Sequence, residues 1–370
     1  MTKTTMKRVT EGETELFVFT KKISQKGPGT KDNLPFYNPS MELNRDLSIL
    51  VCQWLINSNK KHLRLLDGLA ASGIRGIRFA NEIDGDFDVT INDWNPDSFI
   101  LMDKNIKKLK LKNTTALNRN LNSLLSESKF DYIDIDPFGS PVKFIDSSMR
   151  SISHDGLIAC TATDTATLCG VYPKVCLRRY GARPFHSPVM KEIGLRILLG
   201  VLCREAGKYE KGIQPILSYT TDHYFRIYVR VKSGTSYANE SINKVSTISS
   251  KEVPLSSDKG IDIGPLWTGE LQLKRAVQEI RTILSEKQLK TKSELWKLLD
   301  LLEEESAASM FFYTADNLAS ILKTSPPRMK NIFEQLKSKG YAVNRTHFSD
   351  TGFKTNAPRK DIEAVFIKRR

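Results

Sequence analysis

The sequence predicts an α/β fold: a doubly wound, mostly parallel sheet closed by an antiparallel hairpin, with a smaller, basic α+β domain behind it. Three observations predict it. Between residues 61 and 232, short apolar runs alternate with helical patterns, the rhythm of crossover-connected parallel strands. That rhythm ends in two β-rich runs separated only by Thr220-Thr-Asp222. Finally, the 65 residues from Ser306 carry 12 basic and five acidic side chains, a balance of +7 that is half of the chain's net +14.

The elements follow in order. His62-Leu-Arg-Leu-Leu-Asp67 is an apolar run ending in an acid; a loop to Gly76 and an amphipathic stretch through Glu82 come next. Asp88 to Asp93 is a second strand, and Asn95-Pro96 opens a helix to about Lys112 because proline suits the first helical position. Thr115 to Asn118, Phe130 to Asp136 and Gly156 to Thr161 complete five strands, the fourth stopped by Pro137 and Gly139. A helix from Pro188 to Lys208 leads to the hairpin, Ile213 to Tyr219 and His223 to Lys232. A parallel sheet closed in this way is the class I methyltransferase arrangement more than the dehydrogenase one.

Residues 233–262 are rich in Ser, Thr, Lys and Asn, and read as linker or surface insertion. Glu270 to Glu305 is helical by pattern. Ala315 to Gly340 reads as two helices split by Ser325-Pro-Pro327, with Tyr341 to Val343 as a strand, the outline of a winged-helix module. The domain division expected is residues 1–265, with an N-terminal extension over 1–60, and a basic domain over 266–370.

Composition narrows the function. Met1 to Gly12 is polar and basic, and no stretch approaches the ~20 apolar residues of a membrane span. Five scattered cysteines, Cys52, Cys160, Cys169, Cys176 and Cys203, form no C-x-x-C pair and read as reduced thiols of a cytoplasmic protein. A net +14 and a pI near 9.4 are the footprint of a polyanion partner, of which nucleic acid is the commonest.

Three motifs carry chemistry. Asp67-Gly-Leu-Ala-Ala-Ser-Gly-Ile-Arg-Gly76 joins a strand to a helix; its small residues admit a ligand close to the backbone, and its acid suits a cationic group rather than a pyrophosphate. A tight structural turn is the bland alternative. Asp93 ends the second strand, where a carboxylate can accept from both hydroxyls of a ribose; a helix cap is the other reading. Asp136-Pro137-Phe138-Gly139 resembles the (D/N/S)-P-P-(Y/F/W) loop of enzymes that methylate exocyclic amines of bases. An aryl amine is a weak nucleophile. Acceptors at Asp136 and the Pro137 carbonyl can hold its N–H bonds, while Phe138 stacks on the flipped base. A strand followed by a turn is the alternative there.

Leu34-Pro-Phe-Tyr-Asn-Pro-Ser-Met41, Asn44-Arg-Asp46, Ser72-Gly-Ile-Arg75 and Asp134-Ile-Asp-Pro-Phe-Gly-Ser-Pro141 resemble the tRNA (guanine-26-N2)-dimethyltransferase family. Thr161-Ala-Thr-Asp164, Arg178-Arg-Tyr-Gly-Ala182 and Gly264-Pro-Leu-Trp-Thr-Gly269 extend the likeness along the chain. The resemblance implies S-adenosyl-L-methionine as cofactor and a tRNA guanine as substrate. It places Arg45, Asp67, Gly68, Arg75, Asp93, Asn120 and Leu121 against the cofactor and Asp136, Pro137 and Phe138 at the reacting amine. Asn120 departs from the acid common at its position. Arg178, Arg179 and Arg183 are expected to meet tRNA phosphates. Members that hold zinc do so with paired cysteines before G-P-L-W-T-G; Ser233 to Gly264 here contains no cysteine or histidine, so no metal site is expected. No obligate protein partner is implied. An exocyclic-amine methyltransferase acting on DNA or another RNA, and a winged-helix regulator that senses a nucleoside, remain as rival readings.

Overall fold

Residues 5–20, 35, 37–221, 223–256, 260–306 and 308–367 are described by the computed structural model. The expectations on Met1 to Thr4, Leu34, Phe36 and Asp222 lie outside the described residues. The chain opens with a hairpin, β1 (Thr5–Glu11) and β2 (Thr14–Thr20), and a buried helix, α1 (Glu42–Asn57). The alternation follows: β3 (Leu63–Asp67), α2 (Ile74–Glu82), β4 (Phe87–Asn92), α3 (Pro96–Leu109), β5 (Thr114–Leu117), α4 (Leu121–Glu127), β6 (Phe130–Ile135), α5 (Val142–Ser151) and β7 (Ile152–Ala162). Two short helices, α6 (Thr165–Leu168) and α7 (Pro173–Tyr180), and the long α8 (Met190–Gly207) lead to β8 (Lys211–Thr220) and β9 (Phe225–Ser233).

These strands form one seven-stranded sheet in the order β5-β4-β3-β6-β7-β9-β8. β3 to β7 pair in parallel, whereas β9 is antiparallel to both β7 and β8. This is the expected class I methyltransferase sheet. Its central strand, β6, is buried at all six positions, as a strand covered by helices on both faces must be. Alternate residues feed two cores. Leu66, Ile133 and Ile135 face α4, α5 and α8, while Leu65 and Tyr132 face α1 and α2. The N-terminal hairpin docks beside α2 and α3. Asn105, fully buried, exchanges two 2.9 Å hydrogen bonds with the Phe17 backbone, and Thr14 donates to Glu82 at 2.6 Å.

One expectation needs correction. The stretch 233–262, outside residues 257–259, which are not described, contains α9 (Thr235–Ile242) and β10 (Val245–Ser249), and β10 pairs with β11 (Asp262–Trp267). Its contacts come from small residues. Ala238 and Ser241 are buried against β8, and the Ser241 hydroxyl serves both the amide and the carbonyl of Ile213. Low apolar content therefore concealed a packed face. The run over Glu270 to Glu305 is helical as expected, and it divides into α10 (Lys274–Glu286) and α11 (Lys292–Glu305). The turn between them is pinned to α1, since Thr291 Oγ1 donates to Asp46 at 2.6 Å and Lys290 pairs with Glu42 at 3.1 Å.

The C-terminal unit contains β12 (Tyr313–Thr314), α12 (Ala315–Ile321), α13 (Met329–Ser338), β13 (Val343–Arg345), β14 (Gly352–Thr355) and α14 (Arg359–Phe366). Its strands pair in the order β12-β14-β13, and Leu318, Ile332, Leu336, Phe353 and Ile362 form its own core. Residues of α10 and α11, by contrast, pack into the core that α1 shares with the sheet. Buried charge fastens the C-terminal unit to the sheet side. Lys354 Nζ lies 3.0 Å from Glu192 Oε1 with both side chains interior, and the Phe311 amide donates to the same oxygen. Arg196 also holds Glu192, at 2.8 Å, so removing Lys354 leaves that carboxylate with one buried cation rather than none. Lys354→Met should lower unfolding free energy by about 1–3 kcal/mol in denaturant titration, the cost of losing one charged hydrogen bond, whereas Arg359→Ala, which breaks an exposed pair, should stay within ~0.5 kcal/mol.

Candidate active site

The carboxyl ends of β3, β4, β6 and β7 open onto one side of the sheet, where open α/β folds place ligands. Asp67 closes β3. It is 2 % exposed, and its Oδ2 accepts from the Gly76 amide at 2.9 Å. Burial raises the Asp67 carboxyl to about 7, against the opposing pull of Arg75. Gly68 follows, its amide on the Asp134 carbonyl at 3.1 Å; a Cβ there would come within 3.0 Å of that oxygen and of both Leu121 methyl groups. The fully buried Asn92 ties the loops together by donating to the Gly68 and Arg119 carbonyls, each at 3.1 Å.

A chain of charges runs from the hairpin to the candidate catalytic loop. Arg226 of β9 places two N–H groups on Asp134 of β6, at 3.0 and 2.6 Å, and a third bond on Thr161 at 2.8 Å. Both Arg226 and Asp134 are wholly buried. Burial alone would raise the Asp134 carboxyl, but Arg226 and Arg75 together hold it below the ordinary carboxylate range. Arg75, on α2, donates to Asn44 Oδ1 at 2.7 Å and Ser48 Oγ at 2.6 Å, lies 3.6 Å from Asp134, and pairs directly with Asp136. Arg226 shares Ser48 at 3.2 Å.

Beyond Asp136 the loop turns sharply. Pro137 is buried, and Phe138 is 52 % exposed. Gly139 has φ +79°, a left-handed conformation that favours glycine. The Gly139 amide donates to Thr163 Oγ1 at 2.7 Å, and the Thr163 amide returns a bond to the Gly139 carbonyl at 2.9 Å. Phe138 thus stands outward on a pinned backbone.

The other expected residues divide. Asp93 accepts from the Ala71 amide at 2.7 Å and the Asn95 amide at 2.8 Å, which brings the glycine loop and the β4 end together. The cap of α3 is Asn95, whose side chain accepts from Asp97, so Asp93 is left outside that role. Asn120 caps α4 through Ser123 at 3.3 Å, and Leu121 is buried beside Gly68. Arg45 is turned toward the N-terminal hairpin: its Nε donates to Glu11 at 2.7 Å, its Nη2 also pairs with that carboxylate, and its guanidinium lies 5.5 Å from the Tyr37 ring. Arg178 and Arg179 are exposed on α7, Arg179 reaching Asp164 at 3.2 Å; Arg183 is exposed on a backbone bridge to Gly264. Sequence reasoning missed Asn44, Ser48, Asn92, Asp134 and Arg226. Asn44 and Asp134 lie inside strings that carry the resemblance, and Arg226 is marked by interrupting the apolar run Phe225-Arg-Ile-Tyr-Val229.

All five cysteines are buried, and burial raises their thiols, to about 11 for Cys169 and about 12 for Cys176 and Cys203. Among the described residues no group of three His, Cys, Asp or Glu is placed to hold a metal, and no helix is long and apolar enough to cross a membrane.

Residues 21–367 match the model of the N2,N2-dimethylguanosine tRNA methyltransferase family. This chain belongs to that family. It is 36 % identical to the tRNA (guanine(26)-N(2))-dimethyltransferase of Methanobrevibacter smithii over 97 % of both chains. It is 38 % identical to the enzyme of that name from Pyrococcus abyssi, with 91 % of this chain and 93 % of the other covered. The solved complex of Trm1 from Pyrococcus horikoshii with S-adenosyl-L-methionine superposes with a TM-score of 0.86 at 33 % identity, covering 98 % of this chain and 100 % of that one.

The buried Asp67 has a consequence for this family member's pH response. A carboxyl raised from 3.8 to about 7 stays protonated in the fold while the unfolded chain ionises, so it costs stability as pH rises across that window. Asp67→Asn removes the titration. In thermal or denaturant unfolding, the variant should gain on the wild type between pH 4 and 7, by up to ~1.4 kcal/mol per pH unit. A difference that stays constant with pH would contradict the burial account.

Proposed function

We propose that this chain transfers methyl groups from S-adenosyl-L-methionine to the exocyclic N2 of guanine 26 in tRNA, giving N2-methyl- and N2,N2-dimethylguanosine. The carrying observation is the family match across residues 21–367, with the Asp136-Pro-Phe-Gly139 loop intact at the carboxyl end of β6. The net charge of +14 suits the tRNA partner. We assign the chain to the cytoplasm and require no obligate protein partner.

The residues present fit the cofactor. Asn44 Nδ2 is buried with no hydrogen-bond acceptor among the described residues, and its Oδ1 is already engaged by Arg75; that unmet donor beside a guanidinium suits a carboxylate. Asp67, raised toward neutrality, suits an ammonium group, whose charge would restore the ionised form. We therefore assign Asp67, Arg75 and Asn44 to the methionine end; Arg45, committed to Glu11 and turned to the N-terminal hairpin, is left out of it. Asp93 takes the ribose, Asn120 and Leu121 the adenine, and Gly68 keeps the loop close to the sheet. The cofactor supplies an electrophilic methyl group.

This chain's own work is on the guanine. Phe138 stacks on the base, and the Pro137 carbonyl and Asp136 accept the N2 hydrogen bonds, so that the nitrogen lone pair is aimed rather than random. Asp136 then takes the proton that N2 sheds. Arg75, anchored at Asn44 and Ser48, fixes the Asp136 carboxylate from behind. The C-terminal unit, with its two helices and small sheet as the winged-helix-like part, adds +7 near the RNA, and Arg178, Arg179 and Arg183 take phosphates beside the site. We retain residues 1–265 and 266–370 as the functional division, with α10 and α11 as the part of the second that is built into the sheet's core.

Incubation with labelled cofactor and unmodified tRNA, followed by nucleoside analysis, tests the reading. Label in N2-methylated guanosine of tRNA supports it, and label only with duplex DNA or another nucleoside overturns it. Asp136→Ala and Asp136→Asn should lower single-turnover methyl transfer by ~10²–10⁴-fold, since neither side chain can take the proton. Calorimetry should show cofactor affinity within a few-fold of wild type. A wild-type rate in Asp136→Asn would remove the base role.

A further inference from the structure

A rigid, apolar knuckle stands next to the stacking loop. Twelve large apolar side chains are exposed among the described residues; Val171 (51 %), Tyr172 (56 %) and Leu177 (54 %) fall within seven positions of one another, and Phe138 is a fourth. The segments that carry them are joined at their bases. The Phe138 loop leaves β6 and the 163–172 segment leaves β7, adjacent parallel strands, and the paired Gly139–Thr163 bonds join the two. Tyr180, at the end of α7, donates to Asp164 at 2.5 Å, one residue on from Thr163.

The knuckle is not a floppy tip. The Val171 amide bonds the Ala166 carbonyl at 2.9 Å, and the Tyr172 carbonyl accepts from Val175 and Cys176, each at 3.0 Å. Gly170, at φ +87°, passes so close to His186 that a Cβ would lie 2.8 Å from its backbone nitrogen. His186 Nδ1 lies 3.1 Å from the Cys169 carbonyl and braces the same turn. The surround is predominantly cationic: residues 165–191 contain Lys174, Arg178, Arg179, Arg183 and Lys191 and no acidic residue, and of the acids at its two ends Asp164 is paired with Arg179 and Glu192 is buried. Apolar side chains held stiffly outward in a cationic field fit a stacked polyanion rather than another protein's apolar face.

We infer that the Val171-Tyr172 knuckle enters the RNA where the target guanine has left it, filling the gap in the stack while Phe138 receives the extruded base. This rests on the tRNA-guanine reading above and adds the group that holds the RNA open. An emptied stack recloses readily, and enzymes and architectural proteins counter this with inserted apolar wedges. Tyr172 brings a flat ring suited to two neighbouring bases, Val171 fills beside it, and the α7 cations draw in the flanking phosphates. Leu177 lies one turn further along α7, against the next sugar. Tyr172 touches no reacting atom in this role; it is a positioning residue.

The test uses the full-length protein and a tRNA carrying 2-aminopurine at the target position, whose fluorescence rises when it unstacks. Wild type should raise the signal; Tyr172→Ala should lose more than half of the rise at saturating protein, with kcat/KM on unmodified tRNA down roughly 5- to 100-fold. Tyr172→Phe and Tyr172→Trp should restore both, and cofactor affinity should not move in any variant. The Tyr172→Ala defect should shrink on a tRNA whose nucleotide opposite the target is abasic, because extrusion there costs less. Tyr172→Ala with an undiminished fluorescence rise and a wild-type kcat/KM overturns the inference. Wild-type protein that methylates no tRNA guanine overturns the functional reading as well, and the two failures are distinct because only the second is seen without a variant.

Discussion

The structure depends on one buried carboxylate, Asp134, and the guanidinium of Arg226 that neutralises it. A lone ionised carboxylate in the middle of a parallel sheet is costly by several kcal/mol. Two N–H bonds from Arg226 and one from the Tyr132 hydroxyl at 2.8 Å make it tolerable. Arg226 belongs to the antiparallel strand that closes the sheet, so the hairpin is more than an edge. It delivers the charge that lets β6 carry a buried acid near its carboxyl end. Arg75 approaches the same carboxylate from the α2 side and hands its far end to Asp136. Sheet closure, helix placement and the candidate base are thereby one connected problem.

That arrangement also explains why the site tolerates so much burial around it. Asp67, Asp134 and Asp136 stand at the ends of adjacent strands, with Arg75 among them and Arg226 behind, leaving one carboxyl in excess of the arginines. The excess falls on Asp67, which burial pushes toward its protonated form. A cationic ligand group resolves it. The second charge cluster, Glu11 with Arg45 and Arg78, serves another end: it fastens the N-terminal hairpin across α1 and α2, with Arg78 also 2.7 Å from Asp46. The third, Glu192 with Arg196 and Lys354, seats the C-terminal unit.

Much of this was legible in the sequence because the signals were local. Strands ending at Asp67, at Asn92 beside Asp93, and at Ile135 beside Asp136 were marked by apolar runs that stop at an acid. The hairpin was marked by its short turn. What escaped notice depends on tertiary contact. Ser48 and Asn44 look like ordinary polar positions in the polar first half of α1 until Arg75 and Arg226 converge on them. The stretch after Ser233 looked like linker because Ala238 and Ser241 pack by being small, a property that composition scores as polar or neutral. The α10–α11 break gives no proline or glycine signal; it exists because Thr291 and Lys290 find partners on α1. The Val171-Tyr172 knuckle carries no recognisable motif, since exposure on a rigid turn is a feature of the fold alone.

The claim that the Asp134 clamp positions Asp136 is most directly tested with Arg226→Lys. Lysine keeps the charge but cannot offer the planar fork that meets both Asp134 oxygens, Thr161 and Ser48 together. After its melting transition confirms a folded protein, single-turnover methyl transfer should be measured at saturating tRNA and S-adenosyl-L-methionine. The account predicts a rate at least roughly tenfold below wild type, as small displacements of a positioned group produce, with tRNA affinity little changed. A folded Arg226→Lys protein that transfers methyl groups at the wild-type rate would show that charge alone suffices, and that the clamp does not set the geometry of Asp136.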